Sequence, residues 1–272
     1  MLGKEKEATH WDKIAMDWHH RSYANEVLAE HKKNTYLKLI SRWSNLADSR
    51  MLLKTDLFAE AFGPEQFLFE LKTNNIVVAI DVSKEIVARA KNQAEHYGID
   101  SSKYLCCDVK HLPFLSNSFD IIISDSTLDH FPRENDIVNA IIELARVLKV
   151  GGTLILTIDN KSALTYPPFI FFRFWMKIGM APYYIGRTLS RKKLKNTLEE
   201  SGLNLVESTA ILHYPHPDGL VRLLEHILRK VSGNRLDKAI GRVLVLLERL
   251  EGIKSRYLTG RYLAIKAVKR SI

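Results

Sequence analysis

Three carboxylates recur at one kind of place in this chain. Asp81 closes the apolar run 76–80, Asp108 follows the run 104–107, and Asp125 follows 121–124. A carboxylate at the carboxyl end of a parallel strand accepts two O–H donors at once. The strand end fixes its position, which is the usual way of holding the two hydroxyls of a ribose. Asp81 is the candidate for that role. Asp108 can accept the exocyclic amine of an adenine, with Val82 and Val109 placed to sandwich the ring. Either acid could instead be a loop residue capping the next helix, although Ser83 is already a competent N-cap behind Asp81. Two acids at successive strand ends favour the nucleoside. In the stretch 124–131, His130 is chemically suited to act as a general base near neutral pH if the substrate presents a hydroxyl. The alternative is a helix-flanking histidine that packs on Phe131. Asp125 could orient a ligand in the same cleft, and His213 and His216 could line its mouth. The ten histidines show no convincing metal-ligand spacing, so no metal site is assigned.

The elements that must position these groups follow from the hydrophobic pattern. Short apolar runs at 51–53, 76–80, 104–107, 121–124 and 153–157 alternate with helical patterns at 65–71, 83–96 and 134–149. Such alternation predicts parallel strands joined by crossover helices, an α/β fold with the ligand outside the carboxyl ends of the strands. Residues 1–47 form an N-terminal helical cap, with a helix over 26–43. Trp11, Trp18 and Tyr23 there either pack on the sheet or close over a pocket. Residues 48–160 form the core. Residues 161–272 complete the same domain, with an aromatic segment at 167–178, a helix over 191–201 between Ser190 and Gly202, and strands at 203–213 and 261–269. Two basic amphipathic helices, 220–231 and 236–250, lie in an insertion spanning 219–252.

Composition narrows the class. The 272 residues suffice for one sizeable α/β domain. The two cysteines, Cys106 and Cys107, are adjacent in a strand expected to be buried, which is neither a disulfide framework nor a metal spacing. A reducing cytoplasm is therefore the expected compartment. The first ten residues are charged and polar, without the apolar stretch of a secretory signal, and no run is long enough to span a membrane. The net charge of +9 is uneven, with +13 on residues 161–272 and −4 on residues 1–160. A basic C-terminal part suggests an anionic partner or simply a solvated set of amphipathic helices. Together with the aromatic segment it points to a hydrophobic or membrane-derived substrate and to peripheral membrane contact through 167–178 and the basic helices. Nucleic acid is disfavoured, because no RNA-binding module is recognisable.

The strings Val78-Ala79-Ile80-Asp81-Val82-Ser83, Cys107-Asp108-Val109-Lys110-His111-Leu112-Pro113-Phe114, Ser118-Phe119-Asp120-Ile121-Ile122 and Leu144-Ala145-Arg146-Val147-Leu148-Lys149-Val150-Gly151-Gly152 occur in this order. They resemble the successive signatures of class I S-adenosylmethionine-dependent methyltransferases, of the small-molecule type-11 branch. The resemblance covers roughly residues 48–160 and extends more loosely to the C-terminus. It implies a Rossmann-like, seven-stranded, mostly parallel sheet with helices on both faces. It also implies S-adenosylmethionine as cofactor, S-adenosylhomocysteine as product and a small-molecule acceptor. One departure stands out. The family's D-x-G-x-G turn after the first strand reads Lys54-Thr55-Asp56-Leu57-Phe58 here, with no glycine before Gly63. Under the resemblance Asp56 or Glu60 would hold the cofactor's ammonium, Thr55 would supply a hydroxyl and Lys54 would meet its carboxylate. The alternative is a methyltransferase fold that has lost methyl transfer and serves as a non-methylating enzyme or binding module.

Overall fold

A computed structural model describes residues 4–18, 26–47, 49–71, 76–99, 102–164, 166, 186–214 and 234–271. Two helices lead in, α1 (Lys4–Asp17) and α2 (Glu26–Trp43). The core then runs β1 (Met51–Thr55), α3 (Phe58–Phe62), β2 (Ile76–Asp81), α4 (Lys84–His96), β3 (Lys103–Cys106), β4 (Phe119–Asp125), α5 (Glu134–Val147) and β5 (Leu148–Asp159). After these come α6 (Arg191–Glu200), β6 (Leu203–Ile211), α7 (Asn234–Leu247), α8 (Arg256–Thr259) and β7 (Tyr262–Lys269). The seven strands make one sheet in the order β3-β2-β1-β4-β5-β7-β6. Strands β1 to β5 are parallel, while β7 runs antiparallel to both β5 and β6. This is the Rossmann-like, mostly parallel sheet expected from the sequence.

The near-continuous apolar runs are explained by burial on both faces, since successive side chains of a strand point to opposite sides. Leu53, Val78, Ile80 and Ile122 join Ile137, Ala140, Ile141 and Leu144 of α5 in one cluster. Their neighbours Leu52, Val77, Ala79, Ile121 and Ile123 join Leu39, Ile40 and Trp43 of α2 and Ile86 and Ala90 of α4 in the other. The expected caps are present. Ser83 Oγ accepts from Ile86 N, Ser190 Oγ accepts from Lys193 N, and Gly202 takes φ +81° after α6.

Several expectations are corrected. The helix expected over 65–71 is a single 3-10 turn at Leu68–Glu70, and the helical turn α3 forms earlier. The strand carrying Cys106 is not buried. It is the edge of the sheet, Cys106 is exposed and Leu105 is 39% exposed. The helix expected to reach Lys149 stops at Val147, because β5 begins at Leu148 and takes the rest of that apolar run. The helix expected over 236–250 is divided into α7 and a 3-10 stretch, Glu248–Gly252. Tyr23, the aromatic segment 167–178, the helix 220–231 and His216 lie outside the described residues.

Candidate functional site

The carboxyl ends of β1, β2 and β4, with the loop after β3, line one cleft that is covered by α1. Its walls include Thr55, Asp56, Phe58, Ile80, Asp81, Val82, Ile86, Cys107, Asp108, Val109, Thr127, His130 and Phe131, and α1 adds Glu7 and Trp11. Most of the residues singled out from the sequence thus converge: Asp81, Val82, Asp108, Val109, Thr55, Asp56 and His130. Lys54 and Asp125 do not line it.

Asp81 is held from both sides. Its Oδ1 accepts from Ser83 N (2.9 Å) and its Oδ2 from Leu57 N (3.0 Å), so it also ties the turn after β1 to β2. A carboxylate offers about four lone-pair sites, which leaves two for ligand hydroxyls. Burial pushes the Asp81 carboxyl up to about 6, against the opposing pull of the Ser83 and Leu57 N–H groups. Asp108 Oδ1 accepts from Lys110 N (2.9 Å), and Lys110 Nζ lies 3.7 Å from Oδ2. Ile80, Val82, Ile86 and Val109 supply apolar wall between and beside the two acids. Two spaced carboxylates on an apolar wall are a donor-accepting set that fits a nucleoside.

The turn after β1 keeps a glycine-like backbone without a glycine. Asp56 has φ +68°, in the left-handed region that Asp tolerates better than most residues. Its Oδ1 accepts from Phe58 N (2.8 Å), which fixes that conformation locally. Burial, and next the nearby Asp81 charge, push the Asp56 carboxyl up to about 7. Below the cleft, Thr55 Oγ1 is 2.7 Å from Thr127 Oγ1 and donates to Ser124 Oγ (2.9 Å), a hydroxyl chain that joins β1 to β4.

Lys54 has a different task from the one its position suggests. Its side chain is fully buried, and Nζ lies 3.0 Å from Glu60 Oε2, 3.0 Å from Asp125 Oδ1 and 2.5 Å from Asp56 O. It also sits over the Phe67 ring at 4.9 Å. An ammonium has three donors, and three oxygens already surround this one. Burial alone would lower the Lys54 pKa. The carboxylates of Asp125 and Glu60 more than reverse that, so the cation is strongly held. Asp125, in turn, is committed to Lys54, and burial pushes its carboxyl up to about 7 against that attraction. Neither is placed to touch a ligand in the cleft.

Two aromatics of the N-terminal cap, with Phe58, cover the mouth. Phe58 fills the place of the pattern's second glycine, and Trp18 meets it edge-on at 4.7 Å. Trp11 stands edge-on to His130 at 4.9 Å and to Phe58 at 6.1 Å. Asp12 accepts from Ser83 Oγ and Glu85 N, and Glu7 Oε2 lies 2.7 Å from Lys110 Nζ, which strap α1 to the start of α4 and to the loop after β3. The aromatic content of residues 1–18 was the available signal, and it does close over the pocket. His213 is buried elsewhere, with Nδ1 2.8 Å from Thr259 Oγ1 and Nε2 2.9 Å from Ala210 O, so it does not line the mouth.

These shifts carry a pH prediction with a definite sign. Asp81 and Asp56 hold their protons more tightly folded than unfolded, so their contribution to stability is full below about 4 and is lost as pH rises through about 6 to 7. Affinity for a hydroxyl-donating ligand runs the other way, because it needs the ionised Asp81. Titration with S-adenosylhomocysteine at stepped pH is expected to show binding that strengthens through about pH 6. The isosteric Asp81→Asn variant should bind more weakly and without that step. An equal step in both proteins would remove Asp81 as its source.

Residues 61–156 match the family model for a methyltransferase domain. The biotin biosynthesis bifunctional protein BioHC of Cellvibrio japonicus (strain Ueda107) is 24% identical over 208 residues, covering 75% of this chain and 38% of that protein. The chain spans less than two thirds of the length of the first curated relatives it matches. Among solved structures, the [4+2]-cyclase SpnF superposes with TM-score 0.57 at 20% identity, covering 87% of this chain and 80% of that one. Geranyl diphosphate C-methyltransferase from Streptomyces coelicolor A3(2) gives TM-score 0.58 at 12% identity, covering 87% and 77%. At such identities the likeness shows the fold.

Proposed function

We propose that this chain, whose residues 61–156 match a methyltransferase domain, is a class I S-adenosylmethionine-dependent methyltransferase that moves a methyl group from S-adenosylmethionine to a small, hydrophobic or lipid-like acceptor and releases S-adenosylhomocysteine. The observation that carries the reading is the pair Asp81 and Asp108, set at successive strand ends on one apolar-walled cleft. Asp81 would accept the two ribose hydroxyls and Asp108 the adenine amine, with Val82 and Val109 against the ring faces. Asp56, Thr55 and Thr127 present carboxylate and hydroxyl oxygens where the amino-acid end would lie, and Asp56 would accept from its ammonium. When bound, the cofactor supplies an electrophilic methyl on a sulfonium, so alignment and water exclusion carry much of the catalysis. Trp11, Phe58 and the α1 strap would exclude water. Where the acceptor is a hydroxyl, His130 on the cleft wall would take its proton as the new C–O bond forms and the C–S bond breaks.

The acceptor class is supported by the sequence that follows β5. The flanks of the aromatic stretch 167–178 are tied to the loop that carries His130: Gly186 N donates to Asp129 O (2.9 Å) and Arg187 N to Phe131 O (2.8 Å). On the other flank, burial and the carboxylates of Asp159 and Asp129 push the Tyr166 hydroxyl up. The sequence 167–178 is itself rich in aromatic residues, which suits an apolar acceptor, and one structural neighbour is named for geranyl diphosphate C-methylation. We also place the protein in the cytoplasm, with peripheral membrane contact. Among the described residues no helix is long and apolar enough to cross a membrane.

Methyl-labelled S-adenosylmethionine incubated with the protein and a fractionated cell extract tests the reading. Label is expected in the organic-extractable small-molecule fraction and absent with Asp81→Ala. Label confined to RNA or protein would overturn the acceptor class. Phe58, standing where the family pattern has glycine, gives one observation for non-methylating chemistry on this scaffold, and intact binding with no labelled product is that reading's signature.

A further inference from the structure

Helix α7 lies on α2, with Leu244 buried and Gly241 set against Val27, so one side faces the body of the protein. The acids of this region turn inward. Glu248 accepts from His213 N (2.9 Å) and lies 3.1 Å from His31 Nε2, and Glu251 accepts from Arg42 Nη2 (2.8 Å) and Thr209 Oγ1 (3.1 Å). The opposite side is built differently. At 100° per residue, Lys238, Arg242, Val243 and Leu246 fall on the side away from Leu244, and all four are exposed. Val243 is 55% and Leu246 58% exposed, far more than a solvated helix face needs. Among the described residues no carboxylate pairs with Lys238, Arg242 or Arg249. Ile253, 47% exposed, and the exposed Lys254 extend the same mixture past the helix end.

We propose that this outer face of α7 docks the protein on an anionic lipid surface. The peripheral membrane contact proposed above is thereby assigned to a specific surface. Apolar side chains interleaved with long cations, with acids kept to the other side, match an interfacial helix: the aliphatic groups enter the headgroup boundary while Lys and Arg reach the lipid phosphates. A nucleic-acid surface would use the cations but gain nothing from exposed Val243 and Leu246. A second copy of the chain would bring the same positive charge to the face and be repelled.

Co-flotation of the full chain with phosphatidylcholine vesicles, with and without phosphatidylglycerol, tests this without reference to cofactor or activity. Binding is expected with the anionic vesicles only. It should weaken on the order of tenfold or more in Lys238→Glu/Arg242→Glu and also fall in Val243→Asp/Leu246→Asp. A control pair on α6, Lys192→Glu/Lys195→Glu, removes equal charge from another exposed surface and should retain binding. Unchanged melting temperature and far-UV circular dichroism would show that the variants stay folded. Absence of vesicle binding, equal loss in the α6 control, or a dimer dispersed by Val243→Asp/Leu246→Asp would each overturn the proposal.

Discussion

Replacing Lys54 by alanine is expected to cost about 3–5 kcal/mol of folding stability, the usual penalty for orphaning a buried ion-pair partner. The side chain is enclosed by Glu60, Asp125 and the Asp56 carbonyl, with Phe67 beneath it. Glu60 is itself fixed, since its Oε1 accepts from Leu68 N (3.3 Å). Without the ammonium, two carboxylates face each other across a space closed to solvent. The Asp125 carboxyl, already raised by burial, must then rise further, so the loss should be larger at pH 8 than at pH 5, where protonation relieves it. Urea midpoints at the two pH values measure this. A triple change, Lys54→Met with Glu60→Met and Asp125→Asn, removes all three charges together and should recover most of the loss. Equal midpoints for Lys54→Ala and the native chain would mean that the cluster is not what holds the ends of β1 and β4.

Asp81→Ala is expected to weaken nucleoside binding on the order of a hundredfold or more, because two hydrogen bonds to a charged acceptor vanish together. The side chain also anchors Leu57 N and Ser83 N, so some loosening of the turn after β1 should accompany the loss. Asp81→Asn separates the two effects. One carbonyl oxygen still accepts, the shape is kept, and melting should stay near that of the native chain while affinity drops. The measurement is a calorimetric titration with S-adenosylhomocysteine for each variant alongside its thermal melt. Affinity that follows melting temperature rather than the chemistry of residue 81 would reduce Asp81 to a structural tie.

The strand ends were legible because both faces of a parallel sheet are buried, so each strand reads as an apolar run and the first acid after it marks the cleft. Asp81, Asp108, Val82 and Val109 were found in that way, as was His130 through its loop. Lys54 was not, because its role depends on Asp125, which is distant in sequence, and on Glu60, which turns toward it only once α3 forms. The left-handed backbone at Asp56 was equally hidden, since an aspartate there looks like a broken glycine pattern until φ is known. Cys106 and Cys107 misled for a different reason. An apolar run does not tell an edge strand from a central one, and β3 is the edge. The contribution of Glu7 and Asp12 rests on where a separate helix docks, which no local pattern encodes.

The central claim is that the cleft beside Asp81 and Asp108 holds the nucleoside of S-adenosylmethionine despite the glycine-free turn. Calorimetric titration of the native chain with S-adenosylhomocysteine, repeated in the presence of excess adenosine, tests it most directly. Saturable one-to-one binding that adenosine competes away, and that Asp81→Ala abolishes, is the predicted result. No heat from a folded protein, or binding indifferent to both adenosine and residue 81, would contradict it.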